Sequence, residues 1–221
     1  MIKAVIFDYG QVIGSSPNTH TRQDIADAFG VSSNLIGEIL KENIDQFRKG
    51  KLSENQLWQI ISEKLNKPIP TNADDLWRRD FRKKLKISKR MINFVRFLKE
   101  RNVKVAVLSN NIKPYVEIIR QAGGYDEFPI VVNSCDVGYS KPQPEIYQLV
   151  IDQLKTDPKN ILFLDDKLEN LTIAKQFGIK TLLITDPENQ IVQIRKLIWS
   201  GLPFLPKNAI LSYENRSYYF S

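Results

Sequence analysis

Ala4-Val5-Ile6-Phe7-Asp8-Tyr9-Gly10-Gln11-Val12-Ile13 is the stretch whose reading decides the fold. Four apolar residues run unbroken into one carboxylate, and a glycine follows two positions later. An apolar run without alternation reads as a strand covered on both faces, as in a parallel sheet. Asp8 then stands at the carboxyl end of that strand, where open α/β sheets place their ligands. An Asp there is either a turn or helix cap or a functional carboxylate. The segment alone leaves both readings open.

The same pattern returns downstream. Residues 103–108 form an apolar run ending in Ser109-Asn110-Asn111, and residues 161–164 form another ending in Asp165-Asp166. Residues 130–132 and 181–184 read as shorter strands. Helical periodicity fills the intervals: from Ser88 through Leu98, from Pro114 to Ala122, from Pro142 and Pro144 through Leu154, from Leu171 to Phe177, and from Ile191 to Trp199. Such alternation implies right-handed crossovers and a sheet with helices on both faces. The expected class is α/β, with a Rossmann-like three-layer parallel sheet core. Residues 21–86 depart from this pattern, with helical periodicity and no convincing strand. A helix runs from Thr21 to Phe29. Ser32 or Ser33 caps a second, Ser53-Glu54-Asn55-Gln56 is a capping box for a third, and Asn72 starts a fourth.

The chain has 221 residues, 42% apolar and 26% charged, as in ordinary soluble domains. No apolar run approaches the roughly 18 residues of a membrane span. No leader pattern precedes the first strand, and Cys135 is the sole cysteine, so a reducing, cytoplasmic setting is expected. The net charge of +7 is carried by residues 78–90, where eight basic side chains face one Asp80. That run is either a solvated helix face or a local patch that attracts an anionic substrate. No aromatic-interleaved basic groove or zinc-finger spacing accompanies it, so nucleic acid is not an expected partner. A monomer or homodimer is expected. The aromatic segment Ser217-Tyr218-Tyr219-Phe220 would pack on the core or on a partner chain.

Asp8, Ser109 with Asn110, and Asp165 with Asp166 all end parallel strands, so they share one sheet edge. Lys141 stands between turn residues and Pro142, just ahead of a helix. Carboxylates without Cys or paired His favour a hard, oxygen-seeking cation such as Mg2+. The single His20 falls in the loop before the helical stretch and cannot complete a Ser-His-Asp triad with these groups. A carboxylate beside Mg2+ and a lysine can act as a nucleophile. Ser109 and backbone amides after Asp8 are placed to hold phosphoryl oxygens, with Lys141 neutralising charge.

These four segments resemble, in order, the four motifs of the haloacid dehalogenase-like hydrolase superfamily, across residues 2–178. The resemblance implies a helical (C1-type) cap at 15–86 on a core of 1–14 and 87–221. It implies a phosphatase acting on a small phosphorylated metabolite. Asp8 would be the nucleophile that becomes an aspartyl-phosphate. Ser109, Asn110 and Lys141 would bind the phosphoryl group. Asp8, Asp166 and the Gly10 carbonyl would hold the metal. Asp166 is preferred to Asp165 because the family's usual twelve-residue step to the helix-ending glycine reaches Asp166 from Gly178. Asp165 and Asn170 would support these ligands from behind or through water. One departure stands out. Most phosphatases of this superfamily carry a second, acid–base Asp two residues after the nucleophile, where this chain has Gly10. Three readings follow: a slow phosphatase resembling the epoxide-hydrolase-N-terminal-like branch, a haloacid dehalogenase-type hydrolase, or a catalytically idle binding or regulatory protein.

Overall fold

β1 (Ala4–Phe7) is fully buried because its alternate side chains enter two separate cores. Val5 and Phe7 join one, Ala4 and Ile6 the other, as the period of a pleated strand dictates. The computed structural model describes residues 1–15 and 20–199. β2 (Lys104–Ser109), β3 (Ile130–Asn133), β4 (Ile161–Asp165) and β5 (Lys180–Leu183) complete a five-stranded sheet. All neighbours are parallel, in the order β3-β2-β1-β4-β5. This is the expected α/β class. The chain steps outward from β1 to β3, then returns to β4 on the other side of β1. Reversal of strand order beside β1 opens the crevice in which such sheets bind ligands.

Four helices lie between β1 and the rest of the sheet: α1 (His20–Phe29), α2 (Ser33–Arg48), α3 (Glu54–Leu65) and α4 (Ala73–Lys84). The helices that follow are α5 (Lys89–Lys99), α6 (Lys113–Gln121), the single turn α7 (Ser134–Val137), α8 (Pro144–Leu154), α9 (Leu168–Gln176) and α10 (Pro187–Ile198). Residues from α5, α6 and α10 cover one face of the sheet. Residues from α8 and α9 cover the other.

Local signals fixed several boundaries. The Ser32 hydroxyl caps α2, and Ser53 with Gln56 forms the reciprocal capping box of α3. Other boundaries moved. α9 begins at Leu168 instead of Leu171, because the Asp165 carboxylate takes the Lys167 amide and starts the helix directly after the acid pair. α7 is too short to show a period. His20 is the first residue of α1 and not a loop residue. The segment 217–220 lies outside the described residues.

The helical insert shares the larger core with the sheet. A relay of rings joins them: Phe29 to Trp58, Trp58 to Trp77, and Trp77 to Tyr115 on α6, with centroids 6.4, 6.0 and 6.3 Å apart. Arg78 on α4 donates to Glu54 at 2.9 Å and to Glu117 on α6 at 3.0 Å. Arg79, Arg82 and Lys84 pair with Asp24, Asp75 and Asp80. At least half of the basic run is thus matched by carboxylates, which favours a solvated helix face over an anion-attracting patch. Such exposed pairs contribute little to stability.

The end of α2 is docked more tightly. Gly50 adopts φ +66°, and a Cβ there would fall 2.2 Å from the Cys135 carbonyl oxygen. Backbone conformation and contact both demand glycine at this point. Gly50→Ala is expected to destabilise the fold by at least about 2 kcal/mol, read from urea denaturation. An unchanged midpoint would mean that α2 is not anchored here.

Candidate functional site

Asp8 extends the ladder of β1, its amide donating to the Leu164 carbonyl at 2.8 Å. The chain then turns sharply. The amides of Ile13 and Gly14 both donate to the Tyr9 carbonyl, and Gln11 takes the left-handed conformation at φ 60°. Asp8 is left at the carboxyl end of the sheet with its side chain 11% exposed. Phe7 pairs with Val107 on one side and with Leu164 on the other, so Ser109 and Asp165 end at nearly the same level.

Lys141 reaches this edge from the segment before α8. Its ammonium donates to Asp8 Oδ1 and to Asp165 Oδ2, each at 2.7 Å. Asn110 fixes the lysine backbone: its amide nitrogen donates to the Lys141 carbonyl, and its oxygen accepts from the Lys141 amide, both at 2.7 Å. Asn110 therefore has a task beyond the one expected of it, holding Lys141 in register. Ser109 borders the same cavity, with no hydrogen bond from its hydroxyl to another described residue.

The acids differ in their surroundings. Asp165 is fully buried and accepts from Lys141, from the Lys167 amide and, on both carboxylate oxygens, from the Asn170 amide nitrogen. Tyr147 donates to the Asn170 carbonyl and steadies the first turns of α9. Asp166 is partly exposed at the cavity wall. Burial pushes the Asp8 carboxyl from 3.8 up to about 6, against the opposing pull of Lys141. Burial, then Asp165, raises Asp166. Burial alone would lower the Lys141 ammonium, but Asp8 and Asp165 outweigh it and hold it above its ordinary value. Cys135 is buried and free, its thiol pushed by burial up to about 12; it has no part in the site.

This arrangement fits a divalent cation. Oxygens of Asp8, Asp165 and Asp166 lie within 4.8 Å of one another, with one lysine to balance three acids. Asn170 Oδ1 is buried without a partner. Its orientation is set by the other amide atom, which must donate to Asp165, so a buried acceptor is left over beside the acids. The residue set contains only oxygen donors, as Mg2+ prefers.

A cavity of about 420 Å3 opens between this edge and the helical insert. Its outer wall carries Leu40, Ile44 and Arg48 from α2, Trp77 and Phe81 from α4, and Tyr115 from α6. These wall residues carry no local motif. Only the docking of the insert brings them to the site.

A family model described as haloacid dehalogenase-like hydrolase matches residues 2–178. The chain is 28% identical to the sesquiterpene phosphatase astK of Aspergillus oryzae, over 89% of this chain and 96% of that protein. It is 37% identical to bifunctional epoxide hydrolase 2 of Rattus norvegicus, over 36% of this chain; the match spans only 14% of the rat protein. A HAD family enzyme of Bacteroides thetaiotaomicron, solved in complex with magnesium and inorganic phosphate, superposes with a TM-score of 0.70 at 23% identity, covering 83% of this chain and 94% of that one.

The buried triad of charges yields a stability test. The folded pKa of Asp8 lies above its unfolded value, so the native state holds an extra proton between 3.8 and about 6. The stability contributed by this group is present below that window and falls as pH rises through it. Lys141→Met leaves both carboxylates without their shared cation. It should cost about 3–5 kcal/mol at pH 8 and markedly less at pH 5, by urea denaturation in metal-free buffer. A deficit independent of pH would mean that the lysine acts through packing and not through charge.

Proposed function

Because the chain belongs to the haloacid dehalogenase-like hydrolases, we propose that it is a magnesium-dependent phosphatase acting on small phosphorylated molecules. The observation that carries this reading is the shared Lys141 ammonium, 2.7 Å from Asp8 and 2.7 Å from Asp165, beside a third acid at the floor of one cavity. The magnesium and phosphate bound to the Bacteroides enzyme and the phosphatase activity named for the Aspergillus relative support it.

In this reading Asp8 is the nucleophile. Lys141 occupies its Oδ1 and leaves the other oxygen for attack on phosphorus, which gives an aspartyl-phosphate. Ser109 and Asn110 hold the oxygens of the transferring group, and Lys141 offsets the charge that accumulates between nucleophile and phosphate. Asp8, Asp166 and the Gly10 carbonyl hold the metal. Asp165 is the poorer direct ligand because Lys141, Lys167 and Asn170 already fill its lone pairs; it and Asn170 support the ligands instead. Mg2+ supplies the positive charge that lets an anionic carboxylate approach an anionic phosphoryl group. Residues 15–86 are assigned as the cap and residues 1–14 with 87–221 as the core. The lone, buried thiol of Cys135 is compatible with a cytoplasmic setting, and no described helix is long and apolar enough to cross a membrane.

Gly10 provides neither an acid for the leaving oxygen nor a base for water. A positioned acid or base contributes about 10²–10⁴-fold, so turnover of ordinary alkyl phosphates is expected to be slow. The acid cluster favours this reading over the dehalogenase alternative, and the retention of Asp8, Lys141 and Asp166 disfavours an idle protein.

The purified protein is expected to hydrolyse 4-nitrophenyl phosphate with Mg2+, to lose activity in EDTA, and to recover it on adding Mg2+. Asp8→Asn should abolish turnover. Activity that survives either EDTA or Asp8→Asn would sink the assignment. Gly10→Asp should raise kcat on alkyl phosphates by about 10²-fold, the low end of what a positioned acid gives. A sharp fall would instead mean that steric room at Gly10 matters more than the missing carboxylate.

A further inference from the structure

We propose that the preferred substrate is an organic diphosphate with an apolar body, and that Arg48 holds the charge of its departing phosphate. The proposal rests on the phosphatase reading and goes beyond it to the substrate class.

Three observations converge on the leaving-group side of the cavity. The first is chemical. Gly10 removes the usual acid, and the carboxylates among the described residues lining the cavity are Asp8 and Asp166, both already placed at the metal. An alkoxide leaving group is about as basic as hydroxide and needs a proton. A phosphate monoester, with a second pKa of about 6, departs as an anion and needs only a cation beside it.

The second observation supplies that cation. Arg48 lines the cavity, and among the described residues it makes no ion pair. It is the last residue of α2, and its carbonyl accepts from the Ser134 hydroxyl at 2.8 Å. That same hydroxyl accepts from the Asn111 amide at 2.9 Å. Asn111 directly follows Ser109 and Asn110, so two hydrogen bonds tie Arg48 to the loop proposed to bind phosphate. The glycine-only contact of Gly50 with Cys135 secures the same end of α2. A guanidinium that pairs with no described carboxylate, carried on backbone anchored at the rim of a phosphoryl site, is suited to a second phosphate, which it can bind bidentately.

The third observation concerns the body of the substrate. Leu40 and Ile44 precede Arg48 at four-residue steps along α2, so the three form one stripe. Trp77 and Tyr115 line the same cavity. The Trp77 indole N–H is buried without a partner. A molecule whose diphosphate lies between Lys141 and Arg48 would lay its organic part along this apolar stripe.

The step balances without an enzyme acid. Asp8 forms a bond to the terminal phosphorus, and the bond from that phosphorus to the bridging oxygen breaks. The electron pair stays on the bridging oxygen, which leaves as the organic monophosphate dianion beside Arg48. Water then attacks the aspartyl-phosphate, regenerating the Asp8 carboxylate, and both its hydrogens leave on dihydrogen phosphate.

The test compares n-octyl diphosphate with n-octyl phosphate, both with Mg2+, and uses 4-nitrophenyl phosphate as a reference. Wild type should favour the diphosphate in kcat/KM by about 10²-fold, the scale of one charge-stabilising group. In Arg48→Gln this preference should collapse toward unity, and Arg48→Lys should restore part of it. Among n-alkyl diphosphates from butyl to octyl, kcat/KM should rise by up to about fourfold per methylene. The proposal is overturned if wild type shows no preference for the diphosphate, if Arg48→Gln lowers both octyl substrates equally, or if chain length has no effect. In each of those cases, hydrolysis of 4-nitrophenyl phosphate would leave the phosphatase reading standing. Failure on all three kinds of substrate would overturn both.

Discussion

One buried ammonium organises the carboxyl edge of this sheet. Lys141 lies between two carboxylates that β1 and β4 present side by side, and neither acid could be buried alone at acceptable cost. The register that pairs Phe7 with Leu164 thus brings two like charges together, and only a cation between them makes the edge tolerable. Holding that cation in place requires more than the acids. Asn110, at the end of the other strand flanking β1, clamps the lysine backbone from both sides. Three adjacent strands therefore contribute to a single contact, and the strand order places them next to one another.

The insert depends on the same edge in a different way. Its aromatic relay through Trp77 and Tyr115 joins it to the larger core, and the end of α2 lies against the turn that follows β3. Two separate attachments fix the orientation of α2 across the cavity. The wall that faces the acids is consequently built from helices whose own sequence says only that one face is apolar. Chemistry at the floor and shape at the wall come from different stretches of chain, and packing alone brings them together.

That division explains what could be read in advance. Asp8, Ser109, Asp165 and Asp166 were legible because each follows an apolar run, and parallel strands carry such ends to one edge. Lys141 was legible through its turn and the proline after it. The task of Asn110 as a clamp was not, because it involves the backbone of a residue thirty-one positions away. Arg48 was not legible either, since a basic residue near a helix end is ordinary and the Ser134 hydroxyl that anchors its carbonyl lies beyond the insert. The basic run at 78–90 stood out in composition, yet several of the acids that answer it, Asp24, Glu54 and Glu117, are supplied by other helices. A sequence shows the excess of charge but not its neutralisation.

Gly10 sharpens the same point. A glycine in a tight turn normally reads as a conformational necessity, yet the left-handed position of this turn is Gln11 and not Gly10. Backbone geometry does not require the side chain to be missing. Its absence acts instead on charge. Asp8 is already pushed up to about 6 by burial, with Asp165 and Asp166 adding to the rise. Before a cation binds, a further carboxylate two residues away would push it in the same direction. Leaving that position bare forgoes an acid–base group but keeps Asp8 closer to its ionised form. This is a sound arrangement when the leaving group can depart without a proton.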